Sequence, residues 1–446
     1  MAAVLESCET ACWTATREEV GVQVHEKLRG EVPRDTAAFV GWPEHHGGIS
    51  FYRRTGSDAQ DPSCVELIGR PATHELDLQI LRPSSITPDM TGLRWVEARV
   101  LREVGDCDNW LPENVAAGIT TLCIRGSDVR CIPPGMAKLD YLEVSSCSDL
   151  NPDELLPATS CAQLQSLYAR SMEIRRLPDM PELELLQMTD SFGLSDSFLP
   201  CSSVSRLRNL TLNGADVERL PAGLVALEKL DLSLCKNLDV DGFLPESSRA
   251  RLRQLDASQT LVRRVPDNMP ALEELRIRWC DALLDGDDWL PWSSRERLRA
   301  IQASNSSVSR IPKDMPALEL LYLEACPLVA DFLPASSAGR ITELNAEGSS
   351  LARLPPGMRA LEELRINRCE HLDEDFLPPS SAARLRELLA WGSALRKLPR
   401  GLAALEELDV RECELLDEDM DADAAARLKA WEVSGSNLRL PEGFRS

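Results

Sequence analysis

The sequence predicts an α/β solenoid, in which short repeated units stack and their strands form one long parallel sheet on the concave side. Two observations predict this fold. An anchor of an apolar residue followed by Leu-Pro and small residues recurs along most of the 446-residue chain. Leucines between the anchors recur at i, i+3 and i+5, which puts an alternating pair on one face of a short strand. One such unit cannot bury its apolar face alone, so the units must stack.

The anchor marks eight repeats. Its leucine steps along the chain by 43 to 46 residues, from Leu111 to the equivalent Asp421. The last copy, DMDADAA from Asp419, has decayed. The residues that precede Leu-Pro are aromatic or apolar: Trp110, Leu155, Phe198, Phe243, Trp289, Phe332 and Phe376. Such regularity predicts one continuous array rather than several separate domains.

Each repeat divides into two halves. The short half reads L-x-x-L-x-A-x-x-S-x-L-x-x-L-P, as in residues 385–399, and the long half reads L-x-x-L-x-V-x-x-C-x-x-L, as in residues 405–416. The short half is almost always 20 residues long, whereas the long half varies from 23 to 26. Leu-Pro in the short half favours an extended segment on the convex side, because proline fixes φ and lacks a donor. In the long half, proline at the first helical position ahead of Ser and Ala predicts a short helical turn.

These halves resemble leucine-rich repeats. The segments LEKLDLSLCKNL (from Leu227) and LEELDVRECELL (from Leu405) are similar to repeats of plant disease-resistance proteins. The segments RLPDMPELELL and RIPKDMPALELL resemble the short Leu-Pro repeats of bacterial effectors. The resemblance implies a leucine-rich repeat horseshoe and covers about residues 111–441.

The chain divides into a non-repeating region and the array. We expect residues 1–73 to form an N-terminal cap, because the first repeat would otherwise expose its apolar edge. Alternating apolar residues at 18–28 predict a strand or hairpin there. Residues 74–446 form the array, with degenerate repeats at 74–110 and regular double repeats at 111–441.

Six cysteines occupy one position of the long halves. Neighbours in this series lie two strands apart, about 9–10 Å at the usual strand spacing. A disulfide tolerates Cα separations only up to about 7 Å. We therefore expect buried structural thiols that bond to neighbouring backbone, at Cys147, Cys235, Cys280, Cys326, Cys369 and Cys413.

Charge and composition narrow the function. The 49 basic and 72 acidic residues give a net charge of −23, which argues against nucleic-acid binding. The chain contains neither a membrane-length apolar stretch nor an N-terminal signal pattern, so we expect a cytoplasmic protein without a membrane anchor. Four of the five histidines lie at or before residue 74, and no phosphate-binding loop motif occurs. We expect a monomer without a cofactor, a metal or catalytic activity.

Large and charged side chains point outward from the concave strands of repeats four to seven. Trp, Tyr and Arg are enriched in binding hot spots. The predicted partner-binding residues are Arg276, Arg278, Trp279, Tyr322, Glu324, Arg365, Arg368, Trp391 and Arg411. This arginine-aromatic stripe predicts a protein partner with an acidic patch. Alternatively, the arginines pair with acidic neighbours across the strands, at Glu274, Glu363, Glu407 and Glu412.

The leading interpretation is a non-catalytic protein-binding scaffold, acting as a sensor or effector, that holds its partner on the concave face. A second is a substrate-recognition subunit of a ubiquitin ligase, with residues 1–73 docking the machinery. A third places an enzyme or metal-binding activity in residues 1–73. Its candidate residues are Cys8, Cys12, His25, His45, His46 and Cys64.

Overall fold

The computed structural model describes residues 91–99, 110–151, 153–195 and 198–441, together with residue 88 and the backbone of four short strands between residues 36 and 78. The chain forms two compact units, Met1–Ser203 and Val204–Ser446. The candidate zinc or catalytic residues of the N-terminal region and the strand predicted at 18–28 lie outside the described residues. The predicted boundary at residue 73 stays a prediction.

The described strands of the first unit form two sheets. Three antiparallel strands form one of them: β1 (Thr36–Ala37), β2 (Phe51–Arg54) and β3 (Val65–Ile68). Parallel strands that pair in chain order form the other: β4 (Glu75–Leu78), β5 (Trp95–Arg99), β6 (Thr121–Arg125), β7 (Tyr141–Ser145), β8 (Ser166–Arg170) and β9 (Leu185–Thr189). Strands β4 and β5 lie in the segment predicted as degenerate repeats and pair in parallel with each other and with β6.

The second unit continues the same design with eleven parallel strands. They are β10 (Asn209–Thr211), β11 (Lys229–Asp231), β12 (Gln254–Asp256), β13 (Glu274–Arg276), β14 (Ala300–Gln302), β15 (Leu320–Tyr322), β16 (Glu343–Asn345), β17 (Glu363–Arg365), β18 (Glu387–Leu389), β19 (Glu407–Asp409) and β20 (Ala430–Glu432). Each strand pairs with the next, so the predicted solenoid with a parallel sheet is confirmed.

Short helical turns lie in the return segments that follow the long-half strands. None in the described part of the chain is long and apolar enough to span a bilayer. The α-helical turns are Glu113–Ala116, Cys201–Val204, Ala335–Ala338, Pro379–Ala382 and Ala422–Ala425. The 3-10 turns are Ala158–Ser160, Glu246–Ser248 and Trp292–Ser294.

The core consists of the leucine positions that the sequence repeats. In the repeat around β13, Leu272, Leu275, Ile277 and Cys280 are all 0% exposed. The register pairs the central residue of each strand with the central residue of the next, for example Leu275 with Ile301. Successive repeats therefore bury the same face of one another, which supplies the apolar contact that a single repeat lacks.

The anchor residues join the two halves of the repeats. Phe332 and Phe376 are 1% exposed, and their carbonyl groups accept the N–H groups of Ile311 (2.6 Å) and Leu354 (2.7 Å). The acceptor and its aromatic side chain belong to the long-half return, whereas the donor belongs to the Leu-Pro segment of the short half. The anchor thus fixes the distance between neighbouring returns.

The anchor proline was predicted at the first helical position, and this is wrong by one residue in most repeats, where the proline is the N-cap. Pro334 precedes the turn Ala335–Ala338 as its N-cap, with φ −65° and ψ 142°, and Pro379 alone occupies a first helical position among the described turns. The N-cap has extended dihedrals that proline tolerates, and its carbonyl still accepts the first helical bond, from Ser337 N–H at 2.9 Å. Ser337 also donates its hydroxyl to the Pro312 carbonyl (2.8 Å) and accepts the Met315 N–H (3.3 Å). Hydrogen bonds of the Ser-Ser motif therefore connect one return segment to the preceding return segment.

The recurrent cysteines occupy buried turns, as predicted. The thiols donate to the backbone carbonyl of the preceding strand's turn: Cys235 to Leu212 (3.0 Å), Cys280 to Ala257 (3.1 Å), Cys326 to Ala303 (3.1 Å), Cys369 to Ala346 (3.1 Å) and Cys413 to Ala390 (2.9 Å). Burial raises the pKa of these thiols, to about 12 for Cys235 and about 11 for Cys369. All the described cysteines are free thiols. The pattern is a ladder of structural hydrogen bonds.

The cysteine ladder predicts selective labelling. We expect iodoacetamide at pH 8 to modify exposed Cys201 in the native protein and to spare Cys235, Cys280, Cys326 and Cys369. Burial blocks access to these thiols and raises their pKa, so little reactive thiolate forms. Mass spectrometry of the labelled peptides measures the difference, and labelling in denaturant is the control. Equal labelling of Cys201 and the ladder peptides in the native state would contradict the placement.

Candidate functional site

Side chains that point away from the leucine core form the sheet face of Val204–Ser446. Its first row holds the first residue of each strand: Asn209, Lys229, Gln254, Glu274, Ala300, Leu320, Glu343, Glu363, Glu387, Glu407 and Ala430. Its second row holds the last residue of each strand: Thr211, Asp231, Asp256, Arg276, Gln302, Tyr322, Asn345, Arg365, Leu389, Asp409 and Glu432.

Two further rows follow the strand ends. The third row lies two residues beyond each strand: Asn213, Ser233, Ser258, Arg278, Ser304, Glu324, Glu347, Asn367, Trp391, Arg411 and Ser434. The turn row lies one residue further: Gly214, Leu234, Gln259, Trp279, Asn305, Ala325, Gly348, Arg368, Gly392, Glu412 and Gly435. All nine residues predicted from the sequence as partner-binding fall in the second, third and turn rows.

Every residue of the turn row has a positive φ. The row includes glycines, such as Gly348 and Gly392 at 62°, but also Trp279 at 57° and Arg368 at 56°. This left-handed conformation costs an L-residue about 1–2 kcal/mol, and for a bulky side chain it is uncommon. Sequence reasoning missed this feature, although the glycines at the same repeat position were a signal for it. Trp279 and Arg368 therefore stand where glycine would suit the backbone better.

Trp279 and Arg278 form the most accessible part of the predicted stripe. Trp279 is 56% exposed, and its N–H donates to the Ser304 carbonyl at 3.0 Å, so its backbone is held while its ring faces solvent. Arg278 is exposed, donates to the side-chain oxygen of Gln302 and makes no salt bridge with any described residue. This strand end presents an exposed aromatic ring beside a guanidinium that forms no salt bridge with a described residue.

Arg368 and Trp391 form a stacked pair. The Arg368 guanidinium lies 4.2 Å from the centroid of the Trp391 ring, within cation–π distance. The Arg368 N–H donates to the Trp391 carbonyl (2.8 Å), and the Trp391 N–H donates to Asn367 Oδ1 (2.9 Å). Backbone bonds therefore fix the two side chains side by side before any partner arrives.

The other three predicted arginines are paired with carboxylates of the chain itself. Arg276 bonds Glu274, and Arg411 holds Asp409 with two bonds of 2.9 and 2.6 Å. Arg365 lies within salt-bridge distance of Glu343, Glu363 and Glu387. The alternative interpretation expected pairs across strands, and Arg365 forms them with Glu343 and Glu387. The expected partners Glu274 and Glu363 instead pair with Arg276 and Arg365 from the same strand. Arg411 uses Asp409 instead of Glu407 or Glu412, because Asp409 lies two residues before it on the same face.

Tyr322 and Glu324 are half-buried beside this network. Burial, together with the carboxylate of Glu343, raises the pKa of Tyr322 to about 12. Burial also raises the pKa of Glu324, whose Oε1 accepts the Asn345 amide at 2.7 Å while Oε2 is buried without a partner. Both side chains are therefore held in place by neighbours on the sheet.

Sequence reasoning also missed a cluster on the parallel sheet of Met1–Ser203. The rings of Tyr141 and Tyr168, on β7 and β8, lie 5.1 Å apart. Arg125 on β6 donates two hydrogen bonds of 2.7 Å to the Glu143 carboxylate, and the Tyr141 hydroxyl lies 3.4 Å from the same carboxylate. Burial and then Glu143 raise the pKa of Tyr141. The sequence did contain a signal for this cluster, since the segments YLEV and LYAR place Tyr141, Glu143 and Tyr168 at outward positions of neighbouring strands.

Candidate metal ligands are dispersed over the described part of the chain. No group of three His, Cys, Asp or Glu side chains there has the geometry to hold a metal ion. His371, the one histidine among the described residues, is exposed on a return segment. The arrangement on the sheet face is one of rings, guanidiniums and carboxylates suited to recognition.

Comparison with known proteins identifies the fold. No protein-family model matches the chain, and no curated protein matches its sequence. A leucine-rich repeat protein of Leptospira interrogans is similar in structure, with a TM-score of 0.59 and 18% identity over 83% of this chain and 92% of that one. Toll of Drosophila, in its complex with Spatzle, has a TM-score of 0.56 and 14% identity over 96% of this chain and 68% of that one.

A third similar structure is a leucine-rich repeat protein of Bacteroides eggerthii, with a TM-score of 0.50 and 11% identity over 81% of this chain and 71% of that one. At these identities the likeness concerns the fold alone. Together with the stacked parallel strands, it shows that the chain has a leucine-rich repeat fold.

The turn row predicts an unusual order of stability at Trp279. We expect Trp279→Gly to be more stable than Trp279→Ala by about 1 kcal/mol, because alanine still pays the left-handed cost that glycine avoids. Urea unfolding followed by circular dichroism measures the difference. The same pair of substitutions at Arg278, outside the turn row, is the control and should favour alanine or show no preference. An alanine variant as stable as the glycine variant at Trp279 would count against the strained turn.

Proposed function

We propose that the chain is a non-catalytic protein-binding scaffold, a sensor or effector, that holds its partner on the sheet face of Val204–Ser446. The contact is centred on Arg278 and Trp279 and extends to the stacked pair of Arg368 and Trp391. The observation that carries this proposal is the exposed ring of Trp279, fixed on a backbone turn that favours glycine.

Two physical arguments support the proposal. Bulky residues in strained conformations cost stability, and they concentrate at binding and switch sites. Trp and Arg are also the residue types that dominate the energy of protein interfaces when they become buried. The whole turn row shares the positive φ, and Trp279 and Arg368 are its residues of the hot-spot types.

The fold supports the same function in general terms. The similar Toll structure is a complex with Spatzle, so a leucine-rich repeat protein of this architecture binds another protein there. Parallel strands of a solenoid present rows of side chains at regular spacing, which gives an extended surface for one partner. A monomeric state and a cytoplasmic location stay predictions.

A paired substitution tests the binding surface. Arg278→Ser with Trp279→Asn copies the residues of the flanking repeat, Ser304 and Asn305, so the fold should tolerate it. We expect this variant to lose at least tenfold in affinity for the partner isolated with the full chain, because about 2 kcal/mol or more is typical of a hot spot. Isothermal titration of the purified partner measures the change.

Trp292→Ala is the matched control for the paired variant. Trp292 is 76% exposed but lies in a return segment, away from the sheet face. We expect unchanged affinity for this control. Loss of binding in the Trp292 variant together with full binding in the Arg278/Trp279 variant would move the contact to the returns and contradict the proposal.

A further inference from the structure

A row of glutamates crosses four neighbouring strands of the second unit. Glu343, Glu363, Glu387 and Glu407 open β16, β17, β18 and β19, and the register places each directly beside the next. Neighbouring strands are about 4.8 Å apart, so these carboxylates repel one another. We call this row the glutamate ladder.

Arg365 forms salt bridges with glutamates of the ladder. Arg365 Nε lies 3.2 Å from Glu387, and its two terminal nitrogens lie 3.3 Å from Glu363 and 3.9 Å from Glu343. Glu407 is exposed and forms no salt bridge within the described residues. Arg365 therefore pairs with three of the four carboxylates, and the row as a whole keeps a surplus of negative charge.

The surplus extends over the sheet face from β15 to β19. The first, second and third rows there contain seven carboxylates: Glu324, Glu343, Glu347, Glu363, Glu387, Glu407 and Asp409. The same rows contain two cationic side chains, Arg365 and Arg411. Both arginines already form salt bridges with carboxylates of the face. The net charge of these three rows is therefore 2 − 7 = −5.

The electrostatic cost of this surplus is visible at Glu363. Burial, followed by the charges of Glu343 and Glu387, raises the pKa of its carboxyl group. A cation placed over the ladder would reverse that effect, because opposite charge favours the ionised form. Tyr322 borders the ladder beside Glu343, and its partly exposed ring offers apolar surface to the stems of long cationic side chains.

We propose that the sheet face of β15 to β19 docks a lysine- or arginine-rich segment of a protein partner across the glutamate ladder. This inference rests on the proposed scaffold function and specifies the chemistry of the partner. It replaces the partner with an acidic patch expected from the sequence. That expectation counted Arg276, Arg365 and Arg411 as available, whereas the structure commits them to the chain's own carboxylates.

Peptide binding to the full chain tests this inference. The probes are fluorescein-labelled peptides of alternating lysine and serine and of alternating glutamate and serine. Fluorescence anisotropy measures their affinity at about 50 mM and about 300 mM NaCl, a range over which exposed ionic contacts become strongly screened. We expect the lysine peptide to bind, with at least a tenfold loss at the higher salt, and the glutamate peptide not to bind.

The variant Glu347→Gln, Glu363→Gln and Glu407→Gln removes three carboxylates of the face and leaves Glu343 and Glu387 as partners of Arg365. We expect it to weaken lysine-peptide binding at least tenfold. The control is Glu246→Gln, Asp331→Asn and Asp375→Asn, which changes the net charge equally at exposed positions of the return segments. We expect less than a twofold change there, and circular dichroism checks that both variants stay folded.

Absence of lysine-peptide binding at low salt would overturn the inference, and so would equal losses in the two variants. Preferential binding of the glutamate peptide would overturn it in favour of an acidic partner. The scaffold function is judged separately, by the affinity of its own partner for the Arg278/Trp279 variant. A failed peptide test with a sensitive Trp279 contact therefore rejects the basic partner alone.

Discussion

The structure depends on the burial of one leucine-lined face by the next. A strand of three to five residues, such as β13, cannot exclude water from its apolar side chains on its own. Its inward residues become fully buried only because the neighbouring repeats present identical rows at the same register. Apolar burial of this kind is the main favourable term of folding, and here it acts only between sequence neighbours.

That constraint determines where polar groups can lie. The tight turn after each strand buries backbone carbonyls, which require donors inside the stack. Cysteine thiols supply them from the long halves, and serine or threonine hydroxyls supply them within the short halves, as Ser306 does for Ala303 at 2.6 Å. On the return side, Ser337 and its equivalents perform the same task. Some outward side chains also bond backbone groups, as Asn367 does for the Trp391 N–H at 2.9 Å. Others, such as the exposed ring of Trp279, are free to serve recognition.

The leucine spacing was sufficient to predict the repeats, the parallel strands, the buried cysteines and the rows that hold the candidate residues, because each follows from a period in the chain. Other features depend on distances across strands. The capture of Arg365 by Glu343, Glu363 and Glu387, and the stacking of Arg368 on Trp391, require the register and the side-chain conformations. The positive φ of Trp279 arises from the turn that every repeat shares, and it shows at sequence level only as glycines in other copies.

The most direct test compares the unfolding of a variant on β13 with that of a variant just beyond it. It asks whether the inward leucine face supplies the stability of the fold while the outward rows contribute little. Leu275 is 0% exposed at the centre of β13, and Arg278 is exposed just beyond the strand. Leu275→Ala should lower the urea midpoint by an amount equivalent to about 2–5 kcal/mol. Arg278→Ser should change the free energy of unfolding by less than about 0.5 kcal/mol. Equal shifts for the two variants, or a larger shift for Arg278→Ser, would contradict the account.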